Sequence, residues 1–170
     1  FYYKPRIDFE LLAEHSEGLI ALSACLAGEV PQDILNDDLA KAKEDILWYK
    51  NLFGEGNYYL ELQNHGIIEQ QKVNRALAEL SRECGVPIVA TNDNHYVYRE
   101  DAQMQDVMLC IQTGKTLADN NRMRFDGEEF YLKSYDEMRE ALGEYPEALE
   151  RTVEISEKCN FDFTFGENHM

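Results

Sequence analysis

Apolar residues along this chain come in two spacings, and the two take turns. GLIAL, from Gly18 to Leu22, is a short continuous run; from Asp37 onward Leu39, Ala42, Ile46, Leu47 and Phe53 recur at helical intervals until Gly54. YYLEL, from Tyr58 to Leu62, is the next compact run, and Val73, Leu77, Leu80 and Cys84 follow it at intervals of four, three and four before Gly85. The run Pro87 to Ala90 comes third, ahead of a helical stretch carrying Ala102, Met104, Val107, Met108 and Ile111 that Gly114 closes. FYLK, from Phe130 to Lys133, is a fourth strand candidate. Ser134 and Glu137 then form the capping-box signature of a helix running to Gly143. Pro146 suits the first turn of a last helix, with Leu149, Val153 and Ile155 as its apolar positions.

Strands separated by helices of this length imply parallel pairing through right-handed crossovers. The pattern therefore predicts an α/β fold with a parallel sheet, either open or closed into a barrel. At 170 residues one domain is the expectation. The stretch Gly114 to Glu129 shows neither spacing and reads as a long loop. It opens Gly114-Lys115-Thr116, like the end of a phosphate-binding P-loop, but the glycine that motif needs five positions earlier is Leu109.

Composition narrows the picture. With 44% hydrophobic and 29% charged residues the chain is globular in character, and no apolar run approaches the roughly 18 residues of a membrane span. Its four cysteines are scattered singly, which argues against a disulfide framework and for a cytoplasmic protein. A net charge of −17 repels a phosphate backbone, so little direct DNA binding is expected. A local metal site would still accept a phosphate, because a bound cation overrides the surrounding charge at short range. The chain opens FYYKPRIDFE, with neither an initiator Met nor the apolar core of a signal peptide, and reads as a piece of something longer.

In parallel α/β architectures functional residues gather at the carboxyl ends of the strands. Cys25 lies three residues beyond GLIAL, His65 three beyond YYLEL, and Asp93 and His95 directly beyond PIVAT. Thiolate sulfur, imidazole nitrogen and carboxylate oxygen at one sheet end suit a zinc, manganese or iron site. Asp93 and His95 fall on the same side of an extended chain and could reach one ion. Plainer readings stand beside this one. A lone Cys after a strand is often a small buried hydrophobe; Asn92, Asp93 and Asn94 also suit a turn or helix cap; His65, next to Gly66, suits a loop. Cys84 sits on an apolar helical face and belongs to the core, Cys110 and Cys159 lack ligand partners at any recognised spacing, and His15 and His169 read as surface positions.

Four long motifs, SEGLIALSACLAGEVPQ, YYLELQNHGIIEQQKVN, VPIVATNDNHYVYREDAQMQDVMLCIQTGKTL and NRMRFDGEEFYLKS, occur in that order. Together they closely resemble the polymerase and histidinol phosphatase (PHP) domain of the bacterial replicative polymerase III alpha family. The resemblance implies a distorted TIM-like (β/α)7 barrel holding divalent ions (Zn, Mn or Mg) at the strand carboxyl ends. It further implies a parent that is a DNA-directed DNA polymerase in DNA replication, with metal-dependent 3′-5′ exonuclease activity in some relatives. The family's cysteine in the motif matching SACLAGE maps to Cys25, and its Asp-x-His maps to Asp93 and His95. His65 falls at the rim of the site by position and is not carried over as a ligand. The family's early His-x-His is missing, since the four histidines are His15, His65, His95 and His169. The expectation is thus a partial (β/α)7 PHP barrel over residues 1–140 with a helical extension toward the polymerase palm over 141–170. Such a piece is expected to be inactive and weakly metal-binding alone. DNA and other replisome subunits would be partners through the intact parent, and a homodimer would form through strand edges that the cut leaves open. The alternative to a metal-dependent phosphoesterase is a non-catalytic scaffold that steadies the polymerase and docks a separate proofreading exonuclease.

Overall fold

A computed structural model describes residues 5–166 of the chain. Its elements are α1 (Phe9–Glu14), β1 (Ala21–Leu22), α2 (Glu29–Leu35), α3 (Leu39–Phe53), β2 (Tyr58–Leu62), α4 (Ile68–Cys84), β3 (Ile88–Ala90), a 3-10 turn (Arg99–Asp101), α5 (Ala102–Thr113), α6 (Tyr135–Leu142) and α7 (Pro146–Lys158). The three strands pair in parallel in the order β1-β2-β3, with Ala21 opposite Tyr58 and Leu60 opposite Ile88. The α/β class and the parallel sheet are as the sequence predicts. Closure into a seven-stranded barrel is not seen among the described residues.

Local chemistry accounts for the long helices. Asp38 accepts a hydrogen bond from the Lys41 N–H at 3.0 Å and starts α3. Gly85 and Gly114 take the left-handed conformation that ends α4 and α5 and admits glycine without strain. The predicted Ser134–Glu137 box forms reciprocally at the head of α6, and Pro146 opens α7. Because side chains alternate along a strand, Tyr58, Leu60 and Leu62 face the helices, where they join Ile34, Ile46, Leu77 and Leu80 in the core. Tyr59, on the opposite face, is buried as well. Its hydroxyl donates to the Gly56 carbonyl at 2.7 Å, the Lys158 ammonium stands 2.8 Å away, and α7 packs against β3.

Several expectations need correction. GLIAL yields only Ala21–Leu22 as strand. FYLK forms no strand: it contributes one parallel bridge, Tyr96 to Tyr131, because the Glu129 and Tyr131 carbonyls are taken by the Asn92 side chain instead. On α5 the buried side chains are Leu109 and Cys110, whereas Met104, Met108 and Ile111 face outward. That helix is tied down from another direction, by the bidentate Arg122–Asp106 pair that fastens the loop of residues 114–129 to it. α1 and α2 are additional helices that the spacing does not announce. Cys84 is buried and Cys159 exposed, and all four cysteines are free thiols. His169 lies outside the described residues. No described helix is long and apolar enough to cross a membrane.

Candidate functional site

All three strand exits lie at one end of the parallel sheet. The first is a tight turn. Ser23 extends β1, its N–H bonding the Tyr59 carbonyl at 3.0 Å and its hydroxyl accepting from the Glu61 N–H at 2.8 Å. Ala24 then adopts a left-handed φ of 64°, and the Gly28 N–H closes on the Cys25 carbonyl at 2.9 Å. A Cβ on Gly28 would stand 2.3 Å from the Ser23 carbonyl oxygen, so only glycine fits. The turn places Cys25 in a narrow crevice shared with Glu61, Gln63, Gln70 and Asn74.

The third exit carries Asp93 and His95. Thr91 keeps the ladder going, its N–H on the Leu62 carbonyl at 3.1 Å. Asn92 then leaves the sheet and becomes a buried clasp. Its amide donates to the Glu129 carbonyl at 2.9 Å and the Tyr131 carbonyl at 2.7 Å, and its Oδ1 accepts from Lys133 Nζ at 3.2 Å. Lys133 is itself nearly sealed, its side chain 4% exposed and paired with the Glu129 carboxylate at 3.1 Å over the face of Tyr131. Asp93 turns the chain with φ 45°, and the His95 N–H bonds the Phe130 carbonyl at 2.8 Å. The result sets Asp93 Oδ1 3.4 Å from His95 Nε2, each side chain a little over one third exposed, with the imidazole resting on Phe125. Asp93, Asn94 and Lys133 border an open pocket of about 380 Å³.

His65, at the second exit, is buried. Its Nε2 meets the Asn92 carbonyl at 2.9 Å, its Nδ1 meets the Gln70 amide at 2.7 Å, and the ring stacks on Phe130 with centroids 4.0 Å apart. Burial, ahead of every other influence, pushes its pKa below the ordinary value. Both ring nitrogens are engaged within the protein, which leaves neither as a donor to an ion.

The structure therefore brings Asp93 and His95 together, one oxygen and one nitrogen donor facing a common space, and keeps Cys25 in a separate crevice. Among the described residues no three His, Cys, Asp or Glu side chains form a group that could hold a metal ion. The chemistry of the Asp93–His95 pair fits a borderline divalent cation, but two donors are short of a coordination shell. Asn92, Lys133 and Gln70 were not legible as site residues. Asn92 had only turn chemistry to recommend it, and nothing in their spacing shows that Lys133 closes on Asn92 or Gln70 on His65.

The PHP domain family matches residues 1–65. The DNA polymerase III subunit alpha of Borreliella burgdorferi is 52% identical over 166 residues, which is 97% of this chain and 14% of that protein. Its counterpart in Thermus aquaticus is 49% identical over 174 residues, 98% of this chain and 14% of its own length, and that of Deinococcus radiodurans 46% identical over 175 residues, 100% and 13%. This chain is similar to one segment of DNA polymerase III subunit alpha. It spans about one seventh of the relatives it matches. The PHP match includes β1, Cys25 and β2 and stops at His65, so Asp93 and His95 lie in the part matched through the alpha-subunit relatives.

Proposed function

We propose that the chain works as one segment of a bacterial DNA polymerase III alpha subunit, and so within DNA replication in the cytoplasm. The observation carrying this is similarity at 42–52% identity, over nearly all of the chain, to relatives that share that name. In this reading residues 1–140 are the later part of a PHP barrel and 141–170 lead toward the polymerase palm. DNA and the other replisome subunits are partners of the whole subunit. The −17 charge of this segment leaves DNA binding to other parts of it.

Asp93 and His95 would hold a divalent cation, Zn, Mn or Mg, with donors supplied from outside this segment, and Cys25 would be a donor at a neighbouring position of a multi-ion site. Such an ion supplies an activated water and neutralises charge on a phosphodiester during hydrolysis. The chain's own contribution is orientation. Asn92 and Lys133 fix the turn, Phe125 and Phe130 hold the His95 ring, and the pocket beside Asp93 stays open to solvent. Cys25, Asp93 and His95 are donors in this scheme and take no proton from substrate. The separation of Cys25 from the pair favours a second reading, a PHP scaffold that steadies the polymerase and docks a proofreading exonuclease.

One chimera tests both. The matching segment of the Thermus aquaticus relative is replaced by residues 1–170 and assayed for primer extension and for 3′-5′ degradation. Extension is expected to survive, and its loss in a folded chimera overturns the assignment to this subunit. Degradation that disappears with Asp93→Ala and His95→Ala while extension persists supports the metal-dependent phosphoesterase. No degradation at all supports the scaffold.

A further inference from the structure

The buried contacts around His65 form a directed series whose two ends are backbone groups of fixed polarity. The His65 N–H can only donate, and it reaches Gln70 Oε1 at 2.8 Å. That orients the Gln70 amide so that its NH2 donates to His65 Nδ1 at 2.7 Å. The Asn92 carbonyl can only accept, so His65 Nε2, 2.9 Å away, must carry the ring proton. A neutral Nε2–H imidazole is the one form that satisfies both ends. An imidazolium would set an N–H against the Gln70 amide hydrogens, and the other tautomer would set a lone pair against the Asn92 carbonyl.

The ring also grips the turn from its far side. It stacks on Phe130, whose carbonyl accepts the His95 N–H at 2.8 Å. Asn92 and His95 bracket Asp93, which sits at φ 45°, in the left-handed region that side-chain-bearing residues seldom adopt. Something must hold that conformation, and His65 reaches one bracket directly, at the Asn92 carbonyl, and the other through Phe130. We infer that His65, with its tautomer set by Gln70, is a positioning residue that holds the Asn92–His95 turn so that Asp93 and His95 face one another. Only the functional consequence, stronger cation binding by the pair, rests on the metal reading above.

The test uses isotope-labelled chain. Nitrogen NMR of the unsubstituted protein must show His65 as the neutral Nε2–H tautomer, and the Nδ1–H form overturns the inference without any variant. His65→Leu removes the donor, and His65→Gln keeps an N–H near the Nε2 position. In His65→Leu the His95 amide is expected to exchange about tenfold faster while the Leu60 amide, in the β2–β3 ladder, is unchanged; His65→Gln restores most of the difference. Added Mn²⁺ is expected to broaden the His95 ring resonances before those of His15, and several-fold more to be needed in His65→Leu. An unchanged His95 exchange rate in folded His65→Leu overturns the inference. If His65→Leu does not fold, Gln70→Met frees the Nδ1 side alone and the same exchange comparison decides. Absence of selective broadening in the unsubstituted chain refutes the metal reading, and the exchange data still judge the positioning role.

Discussion

Asn92→Ala should be among the most damaging single changes outside the apolar core. The substitution removes an amide that donates to two backbone carbonyls, at 2.9 Å and 2.7 Å, and an oxygen that accepts from Lys133 at 3.2 Å. The Tyr131 carbonyl is buried, and leaving such a group unpaired costs about 1–3 kcal/mol. The Glu129 carbonyl is partly reached by water, and a hydrogen bond there is worth about 0.5–1.5 kcal/mol. Lys133 keeps Glu129 as a partner and adds little. The expected loss is about 2–4 kcal/mol, a large share of the roughly 5–15 kcal/mol that stabilises a domain. Urea unfolding followed by circular dichroism measures it, with the exposed Asn121→Ala as the control expected within about 0.5 kcal/mol. A loss below about 0.5 kcal/mol for Asn92→Ala, at an unchanged denaturant slope, would show that the clasp carries no stability and refute this reasoning.

Three further outcomes are expected. Gly28→Ala drives a Cβ to 2.3 Å from the Ser23 carbonyl oxygen and should cost about 1–3 kcal/mol, so an unshifted thermal midpoint would contradict the tight turn before α2. Burial lowers the His65 pKa below 6.5, so the unfolded chain binds its proton first; this contribution to stability is full above pH 6.5 and falls as pH drops toward the folded value, a slope that His65→Gln should flatten in thermal melts. Asp33 shifts the opposite way: burial and then the neighbouring Asp45 carboxyl raise its pKa above 3.8. Its contribution to stability should therefore decline as pH rises above 3.8 through the folded value, and Asp33→Asn should remove that decline in melts across the same range.

What the sequence disclosed follows from where the information sits. Gly54, Gly85 and Gly114 stop helices through backbone conformation, a property of the residue itself, and all three stops are where the pattern puts them. YYLEL is a strand over its whole length because every residue of this central strand has a partner, Tyr58 and Tyr59 on β1 and Leu60 to Leu62 on β3. GLIAL and FYLK carry similar apolar runs, yet the first is reduced to two residues and the second to one bridge, since pairing depends on partners that a run cannot reveal. The same limit applies to the site. Asp93 and His95 were visible as a local Asp-x-His, and their proximity follows from that short separation. The clasp that shapes their turn joins Asn92 to residues 129–133 and, through His65, to Gln70, contacts that only the folded chain creates.

The strand order β1-β2-β3 repeats the order of synthesis. Each strand can therefore dock on one already made as the polypeptide leaves the ribosome, and no early strand waits for a late neighbour. The exception is the last helix: α7 lies against β3 and reaches back to Gly56 through Lys158. At about 5–20 residues per second, several seconds separate the emergence of β3 from that of α7. During that interval the flank of β3 is bare, and any chaperone or neighbouring nascent chain that recognises an open strand has its opportunity then.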